Sequence, residues 1–272
     1  KIESFVPPQL RVSVNATQED KLFDKPLSFG IHAEHLFGNP AAGLKVEAAV
    51  TYVEKPFDPA GWKAYSFGDG ARTIRDNYQV LGKGTFDSEG NATFSLVPDS
   101  TRLPSAMISA IIEGTAFETG GRPVSVRNEA NLHIYPIYIG LKTPASRELM
   151  VSQTNTLSIA AVDFTGKRAD KPRPLEITLS KLTHIYGYTQ NDQGDYLWKD
   201  ETIKAPVSTD SIVTAPDTDV AYTFAIESTG EYRITVNDPA TQASTAYTFN
   251  VTDGSQSSER SSLSNPAKVE LS

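Results

Sequence analysis

The sequence predicts an all-β fold of two tandem seven-stranded antiparallel β-sandwiches, and three observations support this prediction. Apolar and polar residues alternate with a period of two in short runs throughout the chain. Turn-forming Gly, Asn, Asp and Pro residues separate these runs. A pattern of strand, corner and strand occurs twice, at an offset of roughly 115 to 130 residues, which is a normal size for one such sandwich.

The segment at residues 44–52 shows the alternation most clearly. Leu44, Val46, Ala48, Val50 and Tyr52 lie on one face of the predicted strand, as a half-buried strand requires. Eight further segments follow the same pattern: 27–37, 91–97, 106–114, 155–163, 175–182, 220–228, 231–238 and 244–251. Turns are predicted at residues 38–40, 89–91, 120–121, 193–195 and 237–239.

The two halves of the chain share a plan. In the first half a strand ends at the corner Leu-Phe-Gly-Asn-Pro (36–40), and in the second half a strand ends at Phe-Thr-Gly-Lys (164–167). We expect an irregular excursion rich in Tyr and Trp after each strand pair, at residues 62–78 and 186–198. Polar turns then lead into the closing strands of each half.

The corner Gly38-Asn39-Pro40 is predicted to turn the chain rigidly. Gly38 can take a positive φ that costs energy for a residue with a Cβ atom. Pro40 fixes its own φ and biases Asn39 towards an extended conformation. Leu44 then begins the partner strand in register.

Three segments are predicted: one sandwich at 1–136, a second at 137–252, and a Ser-rich linker at 253–272 that ends in the opening strand of a next domain. The boundary is placed near residues 135–140, where the join is short and apolar, so we expect limited hinge freedom. The chain therefore reads as a piece of a longer protein.

Composition excludes several classes of function. A net charge of -8 and a pI near 5.1 leave no basic surface for nucleic acid. The apolar runs are too short for a helix to span a bilayer, so no direct membrane insertion is expected. The chain has no Cys, which removes disulfides, thiolate metal sites and a Cys nucleophile from this segment.

His32 and His35 in His-Ala-Glu-His resemble a metal-binding motif, but their spacing argues against a metal site. On a strand, residues three apart point to opposite faces, so these imidazoles cannot converge on one metal. A structural role is expected, with one ring at the core edge and the other facing solvent. His133 and His184 are too isolated in sequence to name as partners.

Other motifs of chemistry are weak or absent. Residues 191–195 look faintly like a calcium loop but lack the alternating ligands of an EF-hand, and a hairpin turn is favoured. Asn15, Asn91 and Asn250 fit the glycosylation pattern, which arises often by chance in a Thr-rich chain. No nucleophile elbow or phosphate loop follows a strand. We predict no catalytic, cofactor-binding or metal-binding residue, and no enzyme.

The aromatic residues of the two excursions allow two interpretations. They could form a carbohydrate platform, or they could cap the sandwiches and fill the contact between them, which is favoured because large amphipathic rings suit half-buried interfaces. The set comprises Trp62, Tyr65, Phe67, Tyr78, Tyr186, Tyr188, Tyr196 and Trp198.

Several motifs together resemble the bacterial alpha-2-macroglobulin family. They are Glu-Ser-Phe-Val-Pro-Pro (3–8), His-Leu-Phe-Gly-Asn-Pro-Ala-Ala-Gly (35–43) and Tyr-Ser-Phe-Gly-Asp-Gly (65–70), with Tyr-Ile-Gly-Leu-Lys (138–142) opening the second half. The corner is the most specific of them, and His35 stands where the family more often has Tyr. The resemblance implies two macroglobulin-like domains, related in fold to fibronectin-III and immunoglobulin domains, that precede the bait region.

The resemblance also implies a role for the parent protein. Family members are commonly periplasmic envelope lipoproteins that trap proteases after cleavage of a bait segment, in many cases through a Cys-x-Glu-Gln thioester. This chain has neither the Cys nor an evident bait, so the implied role is scaffold, with the other parent domains and the trapped proteases as partners. The alternative is an adhesin or carbohydrate-binding tandem of immunoglobulin-like modules.

Overall fold

The structure, a computed structural model, describes residues 9–16, 21–75, 77–99, 103–190, 193 and 195–254. Across these ranges the chain forms seventeen β-strands and no helix. The strands of the first half are β1 (Leu10–Asn15), β2 (Lys21–Leu22), β3 (Leu27–His35), β4 (Lys45–Lys55), β5 (Ser66–Phe67), β6 (Tyr78–Thr85), β7 (Asn91–Leu96), β8 (Met107–Phe117) and β9 (Pro123–His133). Those of the second half are β10 (Ile137–Lys142), β11 (Glu148–Met150), β12 (Asn155–Asp163), β13 (Pro174–Gln190), β14 (Tyr196–Val213), β15 (Val220–Phe224), β16 (Gly230–Asn237) and β17 (Ser244–Thr252).

The first half folds as a sandwich of two sheets. A three-stranded sheet has the order β1-β3-β7, and a five-stranded sheet has the order β2-β9-β8-β4-β6. The apolar face of β4 supplies the buried side chains Val46, Ala48, Val50 and Tyr52, as the alternation predicted. These side chains pack with buried residues of the other sheet, such as Ile31, to form one core.

The second half repeats this architecture. One sheet has the order β15-β12-β10-β5 and the other has the order β11-β17-β16-β13-β14, with a separate core between them. The ladders described are antiparallel except two short ones, β2 with β9 and β11 with β17. The predicted fold class is confirmed, and each sandwich adds a short parallel edge strand to its antiparallel strands.

One expectation about the second half is wrong. Residues 186–190 and 196–198 do not form an irregular excursion, because β13 and β14 pair from Pro174↔Val213 to Gln190↔Tyr196. Aromatic and β-branched residues favour the extended strand conformation here, even beyond the point where β13 stops pairing with β16. β13 and β14 thus form a long antiparallel pair, and the predicted turn at 191–195 falls mostly on residues outside the described part of the chain, namely Asn191, Asp192 and Gly194.

The first corner has the geometry that the sequence predicted. Gly38 has φ 85°, and its N–H bonds to the His35 carbonyl at 2.7 Å. Pro40 forms a bridge with Glu34. Nearby, Gly90 has φ 78°, and a Cβ at that position would lie 2.3 Å from the Ala33 carbonyl oxygen, so the neighbouring turn closes tightly over the corner.

Residues 255–272, which include most of the predicted linker and the opening strand of a next domain, lie outside the described part of the chain. Among the described residues, no helical segment has the length and apolar character needed to span a bilayer.

Candidate functional site

The candidate functional site is the contact between the two sandwiches, which we call the joint. Residues 56–75 leave the sheets of the first sandwich and reach the second, where β5 pairs with β10 in the register Gly140↔Phe67 and Leu141↔Ser66. A Cβ atom at Gly140 would lie 2.8 Å from Phe67 Cε1. The glycine therefore makes room for the ring, and a strand of the first half extends a sheet of the second.

Aromatic side chains fill the centre of the joint. Phe57 stacks on Tyr138 with ring centroids 4.0 Å apart, and it meets Phe67 edge to face at 5.2 Å. Tyr135 and Tyr138 are almost completely buried. Together with Val162 of the second sandwich and neighbouring residues, these rings form a third hydrophobic cluster between the two sandwich cores.

A polar network seals one side of this cluster. Tyr65 donates a hydrogen bond to Asp219, and Arg168 pairs with the same carboxylate at 2.7 Å. The Arg168 guanidinium also lies over the Trp62 ring, 4.8 Å from its centroid. Trp62 in turn donates its indole N–H to the Gly166 carbonyl at 2.9 Å.

The network shifts the pKa values of both acidic groups in it. Burial, together with the hydrogen bond to Asp219, raises the pKa of the Tyr65 phenol to about 12. For Asp219, burial acts to raise the pKa, but the hydrogen bonds from Tyr65 and Arg168 outweigh it and hold the carboxyl pKa below its ordinary value. The neutral phenol and the ionised carboxylate are thus the forms that stabilise the joint.

A buried ion pair lies on another side of the joint. Asp69, next to the crossing strand, pairs with Arg233 of β16, and the two side chains are 9% and 13% exposed. Gly68 donates its N–H to Thr245 Oγ1 at 3.1 Å and accepts a bond from the Ala246 N–H. A Cβ atom at Gly68, where φ is 91°, would lie 2.7 Å from the Ser105 carbonyl oxygen.

Arg72 closes the same side of the joint. Its guanidinium bonds to the Gln242 carbonyl of the second sandwich at 2.5 Å and to the Tyr135 hydroxyl at 3.4 Å. Tyr135 donates its hydroxyl to the Pro104 carbonyl at 2.8 Å, and burial raises its pKa. These groups bond to one another across the joint, so the arrangement is suited to fixing the two sandwiches relative to each other.

The histidines lie at three separate places in the fold. His32 and His35 lie on opposite faces of β3, as predicted, and both are partly exposed, with His32 Nδ1 2.9 Å from Asn91 Oδ1. His133 is buried in the joint, with Nδ1 2.9 Å from the Tyr138 hydroxyl. His184 bonds to Glu231 and Thr202 where the hairpin leaves the sheet. Within the described residues, His, Asp and Glu side chains form no group of three or more that could hold a metal ion.

The predicted aromatic set divides between the joint, the β13–β14 hairpin and β6. Trp62, Tyr65 and Phe67 lie in the joint, which agrees with the favoured interpretation. Tyr186, Tyr188 and Trp198 are exposed on one face of the β13–β14 hairpin, and Tyr78 is exposed on β6. For Tyr196 the structure describes the backbone only.

The hairpin extends well past the sheet to which it belongs. β13 pairs with β16 only as far as Leu182↔Glu231, and its pairing with β14 continues for a further eight residues. On one face Tyr186 lies against Trp198 with centroids 6.3 Å apart, and Tyr188 meets Trp198 edge to face at 5.0 Å. This exposed ring face is the second feature of functional interest.

Sequence reasoning missed the charged partners of the joint. Asp69 and Arg233 are 164 residues apart in sequence, and Arg168 and Asp219 are 51 apart. Each sits singly in its own segment, so no local spacing marks it as one of a pair. The sequence showed the Tyr-Ser-Phe-Gly motif as part of a family resemblance. It did not show that this motif forms a strand that crosses to the second sandwich.

Two family models match adjoining parts of the chain. The model described as the Bacterial Alpha-2-macroglobulin MG5 domain matches residues 9–135. The model described as Bacterial macroglobulin domain 6 matches residues 140–252.

Curated relatives and solved structures agree with these matches. An alpha-2-macroglobulin of Rickettsia conorii is 22% identical over 88% of this chain and 13% of its own length. One of Xylella fastidiosa is 24% identical over 100% of this chain and 16% of its own length. The chain thus spans about a sixth or less of these relatives.

Among solved structures, the native Escherichia coli alpha-2-macroglobulin matches with a TM-score of 0.62 at 18% identity, over 92% of this chain and 16% of that one. The Salmonella alpha-2-macroglobulin reacted with methylamine matches with a TM-score of 0.61 at 17% identity, over 93% and 17% of the two chains. These likenesses show the fold. The chain belongs to the bacterial alpha-2-macroglobulin family, and it contains the family's MG5 domain followed by its macroglobulin domain 6.

Proposed function

We propose that this chain is a structural domain pair of a larger bacterial protein that inhibits proteases by trapping them. In this role the pair catalyses no reaction, and the joint holds the two sandwiches as one body that transmits movement between other parts of the parent. The observation that carries the proposal is the crossing strand β5, which makes a segment of the first sandwich part of a sheet of the second. A flexible linker would allow independent movement, whereas a shared sheet resists it.

The relatives support the trapping role of the parent. One solved Escherichia coli alpha-2-macroglobulin is described as activated by porcine elastase, and another is described as trypsin activated. These descriptions apply to the Escherichia coli proteins. We extend the role to the parent of this chain. We place that parent in the bacterial cell envelope, as a periplasmic lipoprotein, with the trapped proteases and its own remaining domains as partners.

The proposed limits of the pair are 1–136 and 137–252, followed by a linker at 253–272. The family matches at 9–135 and 140–252 support these limits. The separate clusters of buried residues in the two halves support them as well.

The test compares the full-length parent with the 272-residue chain. Each is mixed with porcine elastase or with trypsin and separated by native electrophoresis and size exclusion. We expect the parent to be cut in one region and to retain the protease, while the chain neither inhibits the protease nor is cut rapidly between residues 9 and 254. A parent that is not cut in this way and retains neither protease would contradict the trapping role.

A second candidate function rests on the exposed ring face of the hairpin. Tyr186, Tyr188 and Trp198 offer aromatic surface to solvent, which is one way in which proteins bind sugars. Trp62 takes no part, because it is bonded within the joint. If the chain binds carbohydrate there, a glycan panel will change its fluorescence, and Trp198→Phe will remove the change. No response across the panel would leave the scaffold role as the better account.

A further inference from the structure

The corners of the two sandwiches have equivalent backbone hydrogen bonds. In the first, the His35 N–H bonds to the Asn39 carbonyl at 2.7 Å, and in the second the Asp163 N–H bonds to the Lys167 carbonyl at 2.7 Å. The bridge Glu34↔Pro40 corresponds to Val162↔Arg168.

The equivalence extends to the glycines and to the preceding strands. Gly38 and Gly166 have φ 85° and 89°. The Leu36 N–H bonds to the Gln9 carbonyl, just as the Phe164 N–H bonds to the Pro136 carbonyl. Leu36 and Phe37 therefore stand in the places of Phe164 and Thr165.

The second corner is covered by the sandwich that precedes it. Phe164 packs against the joint, 5.5 Å from the His133 ring centroid. The Gly166 carbonyl accepts the Trp62 indole N–H, and a Cβ atom at Gly166 would lie 3.0 Å from Pro59 Cβ. The corner thus receives a loop of the preceding sandwich that offers a proline and an indole.

The first corner presents its apolar side chains to solvent. Phe37 is 97% exposed and Leu36 is 57% exposed. A single exposed apolar residue is ordinary on a protein surface. Here Leu36 stands where Phe164 packs against the joint, and Phe37 stands where Thr165, itself exposed, lines a cleft of the joint with Phe57 and Pro59. That equivalence separates the two residues from incidental exposure.

We propose that the corner at residues 35–39 is a docking site for another macroglobulin-like domain of the parent, the one that precedes this pair. In the docked state the preceding domain covers Leu36 and Phe37 with an apolar loop and donates an N–H group to the Gly38 carbonyl, in the place of the bond from Trp62 to Gly166. This inference rests on the proposed function, because it requires the chain to be part of a larger array. The relatives leave room for such a domain, since the chain spans 13% to 16% of their length.

The docking site does not include a crossing strand. In the second sandwich the outer edge of β10 pairs with β5, with Leu141 opposite Ser66. On β1 the equivalent residue is Val14, whose carbonyl accepts a bond from the Asn128 side chain at 2.8 Å. Glu118 likewise bonds to the Gln9 N–H at 2.6 Å. Side chains of the first sandwich occupy this edge, so the partner contacts the corner and not the strand.

Hydroxyl-radical labelling with mass spectrometry tests the proposal in the native parent and in the 272-residue chain. Phe37 and Leu36 should be labelled several-fold more slowly in the parent than in the chain, while buried Phe29 stays protected in both. Equal labelling of Phe37 in the two proteins would overturn the proposal. Protection that disappears on dilution of the parent would also overturn it, because it would indicate a second copy and not a domain of the same chain.

A variant tests whether the ring itself makes the contact. Phe37→Asp should leave the unfolding of the 272-residue chain unchanged, since the side chain is exposed there, and should raise Leu36 labelling several-fold in the parent. Val80→Asp, at another exposed apolar position of the first sandwich, is the control and should leave Leu36 protected. If Phe37→Asp also leaves Leu36 protected, the proposal fails. A parent that protects Phe37 but retains no protease would contradict the proposed trapping function and not this docking site.

Discussion

Asp69, which follows the crossing strand of the first sandwich, forms an ion pair with Arg233 on β16 of the second, and both side chains are largely buried. Arg233 also bonds to Thr248 at 3.2 Å, and Asp69 accepts a bond from the Ala71 N–H at 2.9 Å. Both ends of the pair are therefore held by their own sandwiches. The pair joins two parts of the chain that fold around separate cores.

Removing one end of this pair should destabilise the joint strongly. Asp69→Ala leaves the Arg233 charge buried without its partner, and such a change costs about 3 to 5 kcal/mol. Urea unfolding of the chain, followed by far-ultraviolet circular dichroism, measures the loss.

The matched control removes both charges. Asp69→Leu combined with Arg233→Met should recover most of the lost stability, because no unpaired charge remains buried. If Asp69→Ala unfolds at the wild-type urea concentration, the pair does not hold the joint.

Gly140→Val should weaken the joint by crowding the crossing strand. The new side chain starts 2.8 Å from the Phe67 ring, and overpacking of this kind costs about 1 to 3 kcal/mol. Gly187→Ala on the hairpin is the control, because no atom lies within 4 Å of a Cβ there and φ is not positive. Calorimetry of both variants checks the prediction, and an equal effect of the two changes would argue against it.

Gly38 in the first corner and Gly90 in the neighbouring turn should differ in their tolerance of alanine. Gly38→Ala incurs the strain of a positive φ, about 1 to 2 kcal/mol, in open space. Gly90→Ala incurs the same strain and also places a Cβ 2.3 Å from the Ala33 carbonyl oxygen. The second variant should therefore melt at a clearly lower temperature. Equal melting temperatures would show that the corner relaxes more easily than its geometry implies.

Alkaline pH should loosen the joint through Tyr65. The unfolded chain releases the phenolic proton near the ordinary pKa of 10.0, whereas the folded chain holds it until about 12. Between these values the folded state binds more protons, so stability falls as pH rises. The stability that the protonated Tyr65 phenol contributes is fully present below pH 10. It is lost as the pH rises through the folded pKa of about 12.

The measurement is the stability of wild type and Tyr65→Phe across this range. The variant should lose stability less steeply, because it has no phenol to titrate. Tyr222, whose pKa burial and Asp210 also raise to about 12, is present in both proteins and cancels in the difference. Parallel curves would show that Tyr65 does not couple the joint to pH.

The sequence predicted what depends on neighbours along the chain. Alternation located the strands, as in β4, and Gly38 with Pro40 located the first corner. The histidine pair was correctly assigned to opposite faces of one strand, because that depends on the strand period alone.

The features that the sequence did not predict depend on contacts between distant segments. β5 is two residues long, too short to show a period, and its pairing depends on the absence of a side chain at Gly140. An irregular excursion was expected at 186–198, but residues 186–190 and 196–198 lie in paired strands, and only the partner strand shows that these residues belong to a ladder. No local pattern could identify Arg233 as the partner of Asp69.

The central claim is that the joint holds the two sandwiches as one body, and an electron-spin distance measurement tests it most directly. The chain has no Cys, so Val80→Cys and Val207→Cys, exposed positions on the two sandwiches, place spin labels at defined sites. We expect one narrow distance distribution, which broadens when Gly140→Val is added and stays narrow with Gly187→Ala. A broad distribution in the otherwise wild-type chain would contradict the claim.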